Sequence, residues 1–355
     1  MEWAVPQYTR SQVDWAGNMF STPDPDYDFL FSDEWDQAIA ILNNWRSAHS
    51  YPLNTFQVSL RGKARKVDAN CIVAQRIKRL SSINHKLSRF KSMQLSQMQD
   101  IGGCRAIVDS AAHVVDLVNS YKNSQLRHKL YRVTDYISEP RASGYRGIHL
   151  LYQYFSDKKS KSIYNGLRIE MQIRSSLQHA WATAVETVGT LTSQALKSSL
   201  GEEDWLRFFA LMGSVIALRE GCPLVPLTPS EPATLFAELR AHANRLNASR
   251  TLHMFGDALN TMEQPSAKTQ TAHFFLLQLN PKEKQANVTG FKANESKVAA
   301  REYLEIEKKM QQNPESGSIA VLVSVDNVAA LRRAYPNYFL DTRVFAGLLD
   351  EVLEG

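Results

Sequence analysis

The sequence predicts an α+β fold, a mixed sheet with helices packed on it. Three observations carry this. Residues 167–174 alternate strictly: Leu167, Ile169, Met171 and Ile173 fall on one face of an extended strand, and Arg168, Glu170, Gln172 and Arg174 on the other. Short apolar runs at 104–108 and 133–137 bracket an amphipathic helical pattern at 111–122. Glycine pairs and prolines punctuate these runs, as at Gly102-Gly103 and Pro140. Strand, helix, strand and strand in that order form a mixed sheet with helices on it.

The chain has 355 residues, enough for two domains at roughly 150 residues each. Its 44% hydrophobic content supports real cores, and its net charge of +5 is compatible with phosphate-bearing partners without requiring one. Three widely spaced cysteines, with no CxxC pair, argue against a zinc finger or a disulfide framework and fit a reducing cytoplasm. Met1-Glu-Trp-Ala-Val-Pro lacks the basic start and apolar run of a secretory signal. No stretch approaches about 18 apolar residues, so no membrane span is expected.

In chain order, residues 1–32 read as an arm rich in Pro, Asp and aromatics, held to the body by Trp15, Phe20, Tyr27 and Phe29. Ser32 is placed to cap a helix carrying Trp35, Ile39, Leu42 and Trp45, ending near Pro52. A second helix is expected at 54–66, a strand at 71–79, and a helix capped by Ser81 or Ser82. Helices follow at 177–188 and 205–218. Three prolines in residues 221–229 mark a boundary. Beyond it the pattern gives one long helix at 231–262, paired strands at 273–279 and 287–291, a helix at 295–311, a buried strand at 319–324, and a loop at 331–341 with exposed aromatics. The expected division is 1–52, an N-terminal arm and helix; 53–222, a central domain; and 230–355, a smaller C-terminal α/β domain.

The chemistry-bearing residues cluster in the central part. Glu170, with Gln172 and two arginines on one strand face, suits a hard cation and phosphates. Tyr145, flanked by Arg141 and Arg146 between Gly144 and Gly147, suits a stacked base among cations, or equally a core tyrosine at a strand entry. Arg76, Lys78 and Lys86 can converge on one anion, or form a solvated basic face. Asp100 sits before Gly102-Gly103, where a carboxylate can reach a metal and where Asp also simply favours turns. His179 is a phosphate donor or a core histidine; taken alone, the latter is favoured. The half after 230 shows no clustered acids, no Gly-rich phosphate loop and no nucleophile with a base.

Taken in order, four blocks resemble the synthetase domain of RelA/SpoT alarmone synthetases: Arg76-Ile-Lys78 with Ser82-Ile-x-x-Lys86, Asp100-Ile-Gly-Gly-Cys-Arg105, Ser143-Gly-Tyr-Arg-Gly-Ile-His149, and Glu170-Met-Gln-Ile-Arg174 with His179-Ala-Trp. They span about residues 70–190. The resemblance implies a nucleotidyltransferase-like mixed sheet and an ATP-dependent pyrophosphokinase acting on GDP, GTP or another nucleotide. It places Arg76, Lys78, Lys86 and Arg105 on ATP. It places Tyr145, Arg141, Arg146, His149, Arg174 and His179 on the acceptor. Asp100 and Glu170 would hold Mg²⁺, with Glu170 alternatively taking the proton of the attacking hydroxyl and Gln172 supporting it.

The chain departs from the long members of that family. It contains no His-Asp dipeptide, so a hydrolase of the metal-dependent His-Asp type is absent. A synthetase followed by an unfamiliar C-terminal half looks like the toxin-type members. That layout keeps two alternatives open: a toxin that pyrophosphorylates the tRNA 3′ end or adenosine nucleotides, restrained by its C-terminal domain and released by a protein trigger in phage defence, and a non-catalytic nucleotide sensor. Tyr335-Pro-Asn-Tyr338-Phe339 is the expected sensing surface.

Overall fold

The computed structural model describes residues 3–22, 32–191, 203–257, 272–280, 285–312, 319–324 and 342–354. The helices among them are α1 (Arg10–Phe20), α2 (Asp33–Ala48), α3 (Ser50–Val67), α4 (Leu80–Arg89), α5 (Ala111–Lys122), α6 (Ser176–Leu191), α7 (Glu203–Glu220), α8 (Pro232–Arg245), α9 (Ala248–Asp257), α10 (Ser296–Gln312) and α11 (Arg343–Glu354). The strands are β1 (Ile72–Ile77), β2 (Gly102–Val108), β3 (Lys129–Asp135), β4 (Ile148–Gln153), β5 (Arg168–Ser175), β6 (Phe274–Asn280), β7 (Gln285–Phe291) and β8 (Ile319–Ser324).

One mixed sheet joins all eight strands in the order β3-β4-β5-β2-β1-β8-β6-β7. Only the β2–β5 ladder is parallel among these pairs. The α+β mixed sheet with helices on it is therefore as expected. The alternation at 167–174 sets its polarity. Ile169, Met171 and Ile173 are fully buried on one face, each contributing about 1.5–3 kcal/mol of burial. They share a core with Cys104, Ala106, Leu150 and Tyr152 from the neighbouring strands and with Phe56, Leu60, Leu117 and Tyr121 from α3 and α5. Polar side chains occupy the opposite face.

A second core joins α6, α7, α8, α9 and α11, with Trp181, Phe208, Phe209, Leu239 and Phe345 at its centre. Residues after 230 thus contribute both three strands to the common sheet and three helices to the core around α6 and α7. Among the described residues, no helix is long and apolar enough to cross a membrane.

Four local expectations are corrected. Part of the N-terminal arm is helical: α1 opens on a capping box in which Thr9 and Gln12 bond each other's backbone amides, and it buries Val13, Ala16 and Phe20. Tyr27 and Phe29 lie outside the described residues. The long helix at 231–262 is broken after Arg245, because Asn247 takes a left-handed backbone with φ 47°. Helix α4 begins before either serine proposed as its cap, at Leu80, and its N-cap residue Arg79 makes no side-chain cap bond. Helix α11 was not anticipated; its buried face of Phe345, Ala346, Leu349 and Val352 completes the second core. The aromatic segment 335–339 lies outside the described residues.

Candidate active site

Strand register builds the polar face. Arg76 on β1 pairs with Gly103 on β2, Gly103 with Glu170 on β5, and Glu170 with Leu151 on β4. The next row runs Ala74, Arg105, Gln172, His149 and Thr134. Residues directly opposite one another point to the same side of a sheet, so Arg76, Arg105, Glu170, Gln172 and His149 share one face. Gly103 interrupts their row. A Cβ built there would meet nothing nearer than the Glu170 carbonyl oxygen, 3.9 Å away, so the missing side chain leaves a notch between Arg76 and Glu170.

Three charged groups meet at one edge of this face. Lys78, just past β1, donates to Asp100 Oδ2 at 2.6 Å, and Lys86, two turns into α4, donates to Oδ1 at 2.9 Å. Burial alone would raise the Asp100 carboxyl, but the two ammoniums outweigh it and hold the group well below the usual carboxylate range. Burial lowers Lys78 despite the pull of Asp100, and the nearby charges of Lys86 and Arg76 add to the lowering. The end of β1, helix α4 and the approach to β2 therefore form a cluster with more positive than negative charge.

The second cluster is a closed ring of hydrogen bonds. Arg174 Nη2 donates to the Tyr145 hydroxyl oxygen at 2.6 Å and to Gln172 Oε1 at 3.0 Å. Gln172 Nε2 donates to Glu170 Oε2 at 2.7 Å. His149 Nδ1 lies 3.1 Å from Glu170 Oε1, and its Nε2 lies 2.6 Å from the Tyr145 hydroxyl, closing the ring. Burial lowers the His149 imidazole, but Tyr145 and Glu170 outweigh it and raise the group to about 9. A protonated His149 donates from both nitrogens. Burial raises Tyr145, but Arg174 and His149 bring its hydroxyl down to about 8. Glu170 stays lowered against burial, chiefly through its hydrogen bond from His149, while the charge of Asp100 pushes it up. The two carboxylates therefore repel one another.

Aromatic packing holds Tyr145 in place. The Arg174 guanidinium carbon sits 5.0 Å from its ring centroid, and Trp181 and Tyr136 pack edge-on at 6.2 and 5.5 Å. Trp181 is fixed in turn by donating Nε1 to the Phe209 carbonyl at 2.8 Å. Gly144 adopts φ 93° where α7 crosses the loop, and a Cβ there would stand 2.7 Å from the Phe209 carbonyl oxygen. Arg141 lies over the Tyr136 ring at 4.5 Å and donates to its hydroxyl. Its side chain reaches the Tyr145 neighbourhood through Tyr136, a residue the sequence reading did not single out.

Arg146 is placed differently from the expectation. It is buried, and its guanidinium donates to the backbone carbonyls of Ile137, Gly213 and Pro223. It ties the Tyr145 loop to α7 and is not available to an acceptor phosphate. His179 is buried on α6, with its carbonyl accepting from Thr183. Among the described residues no three His, Cys, Asp or Glu side chains are grouped as metal ligands.

The family model described as a region found in RelA/SpoT proteins matches residues 75–188, which contain both clusters. Two curated relatives from Bacillus subtilis (strain 168) each match about a third of the chain. GTP pyrophosphokinase YwaC is 29% identical over 114 residues, 30% of this chain and 52% of the relative. GTP pyrophosphokinase YjbM is 34% identical over 117 residues, 31% of this chain and 52% of the relative. The chain thus spans about half the length of the curated relatives it matches. Among solved structures, small alarmone synthetase 1 from Bacillus subtilis bound to its product pppGpp aligns at 21% identity, covering 54% of this chain and 94% of that one, with a TM-score of 0.43. Small alarmone synthetase 2 from the same organism aligns at 18% identity, 53% and 95% coverage, and a TM-score of 0.42.

Proposed function

We propose that the RelA/SpoT region transfers pyrophosphate from ATP to the 3′-hydroxyl of a guanosine nucleotide, GDP or GTP. The observation that carries this reading is the pairing of a cation-rich cluster with a carboxylate-centred ring on one sheet face, separated by the Gly103 notch. The two curated relatives, both GTP pyrophosphokinases, support it. In this reading Lys78 and Lys86 exchange Asp100 for the ATP phosphates, and Arg76 and Arg105 lie along the donor. Tyr145 stacks on the acceptor base with the ring face not covered by Arg174. Glu170, oriented through both oxygens by His149 and Gln172, takes the proton of the attacking 3′-hydroxyl. The new bond forms at the β-phosphorus, and AMP leaves. Such transfers need positioning and charge neutralisation more than covalent chemistry.

Asp100 and Glu170 also suit a divalent cation such as Mg²⁺: they are two hard oxygen donors close enough for the charge of one to raise the other, with phosphate oxygens to complete the set. When bound, such an ion would offset and polarise the phosphate charge. We further infer that the part after 230 regulates transfer. Support comes from β8, which pairs at Gln75 and Arg76 with the strand that carries the donor cation. The acceptor assay is direct: γ-labelled ATP is incubated with GDP, GTP, AMP, ADP or bulk tRNA. Label on GDP or GTP supports the reading. Label on tRNA or adenosine nucleotides moves the chain to the toxin-type alternative. Label on none of them favours a sensor.

A further inference from the structure

The β1–α4 joint carries both donor lysines, and it is gripped by a buried ion pair from outside the RelA/SpoT region. Arg46 on α2 and Glu307 on α10 meet at 2.9 Å, with only 3% and 7% of their side chains exposed. Arg46 Nε donates to the Lys78 carbonyl at 2.9 Å. Glu307 Oε1 accepts the Leu80 amide N–H at 2.9 Å. Leu80 is the first residue of α4, and the helix has no side-chain cap of its own. The carboxylate of Glu307 therefore serves as a cap supplied from more than 200 residues away, on the helix end where negative charge is favoured. Tyr303 adds a hydrogen bond to the same oxygen at 2.8 Å.

We propose that Glu307, held by Arg46, is a positioning residue for the donor lysines, so that the C-terminal half completes the donor site. The two bonds bracket Lys78, Arg79 and Leu80, and so fix the angle at which α4 leaves β1. That angle sets where Lys86 lies relative to Lys78, and both ammoniums must meet at one point, as they do on Asp100. A buried ion pair contributes little net stability compared with apolar residues of the same volume. Its effect here is on geometry. Misplacement by about an ångström at a phosphate-binding group costs on the order of 100-fold in rate.

The inference rests on the donor reading of Lys78 and Lys86, and the experiment separates the two. Full-length wild type, Glu307→Gln and Glu307→Ala are compared by calorimetric binding of a non-hydrolysable ATP analogue and by transfer kinetics from ATP to GDP. Glu307→Gln is nearly isosteric and decides the matter where Glu307→Ala does not fold. The expected result is a donor KM and analogue Kd raised about tenfold in Glu307→Gln, with the GDP KM moved less than about twofold, a split that a general loss of stability does not produce. A folded Glu307→Gln with wild-type donor KM and Kd overturns the inference. A wild-type protein that binds no ATP analogue overturns the donor reading itself.

Discussion

The two polar clusters differ in how far they satisfy themselves. The Lys78–Asp100–Lys86 cluster is open: two ammoniums share one carboxylate, so positive charge is left over for an incoming anion. The Tyr145–His149–Glu170–Gln172–Arg174 ring is closed, each member bonded to the next. An open cluster can exchange its partner for phosphate with little rearrangement. A closed ring resists movement and holds a proton acceptor in one orientation. The comparison teaches that one sheet face can carry a charge-exchange site and a preorganised site side by side, with a glycine as the space between them.

The comparison breaks first at the carboxylates. Asp100→Asn and Glu170→Gln are each expected to lower transfer by at least about 1,000-fold, because neither carboxamide can hold a cation or take a proton as the acid does. Circular dichroism should report a retained fold, and a variant with wild-type rate removes its residue from the site.

The ring is tested next through Arg146 and Tyr145. Arg146→Met leaves three buried carbonyls without a donor and is expected to cost about 2–4 kcal/mol of stability, read by urea unfolding. A variant as stable as wild type would return Arg146 to the list of acceptor ligands. Tyr145→Ala should raise the GDP KM by an amount equivalent to about 1–3 kcal/mol of lost stacking while leaving ATP binding intact. Loss of ATP binding instead would reverse the placement of the two nucleotides.

A pH-dependent effect concerns the support beneath β2. Burial lowers His49 to about 4, against the hydrogen bond its Nδ1 gives to the Trp45 carbonyl. A folded-state value below the unfolded one means stability that is complete above about pH 6.5 and lost as pH falls through about 4. The full span corresponds to on the order of 3 kcal/mol. Melting of wild type and His49→Asn between pH 7 and 4 should converge as the acid limb is reached, and parallel curves would contradict this.

Much of this was legible in the sequence. The period-two pattern at 167–174 gave β5 and its two faces. Asp100, Lys78 and Lys86 could be named as candidates, since Asp before Gly-Gly and lysines flanking a strand end are local signals. Local rules failed where a distant residue replaced them. The start of α4 was misread because its cap is Glu307, which no window around residue 80 contains. Arg146 looked like a ligand because basic residues beside Gly and Tyr suit phosphates. Its burial depends on α7 crossing the loop, visible only once Gly144 and Gly213 are seen in contact. The strands after 230 were recognisable, but their joining of the β1 edge was not, since sheet order is a long-range property. A chain ending near Pro229 would bare that edge and the apolar faces of α6 and α7, so low solubility is the expected outcome.

The central claim is that pyrophosphate moves as a unit to a guanosine 3′-hydroxyl. The most direct test supplies ATP labelled at both the β- and γ-phosphates together with GDP and Mg²⁺, and follows both labels. The account predicts equal transfer of the two labels to the 3′ position with one AMP released per event. Transfer of the γ label alone, or release of ADP, would contradict it.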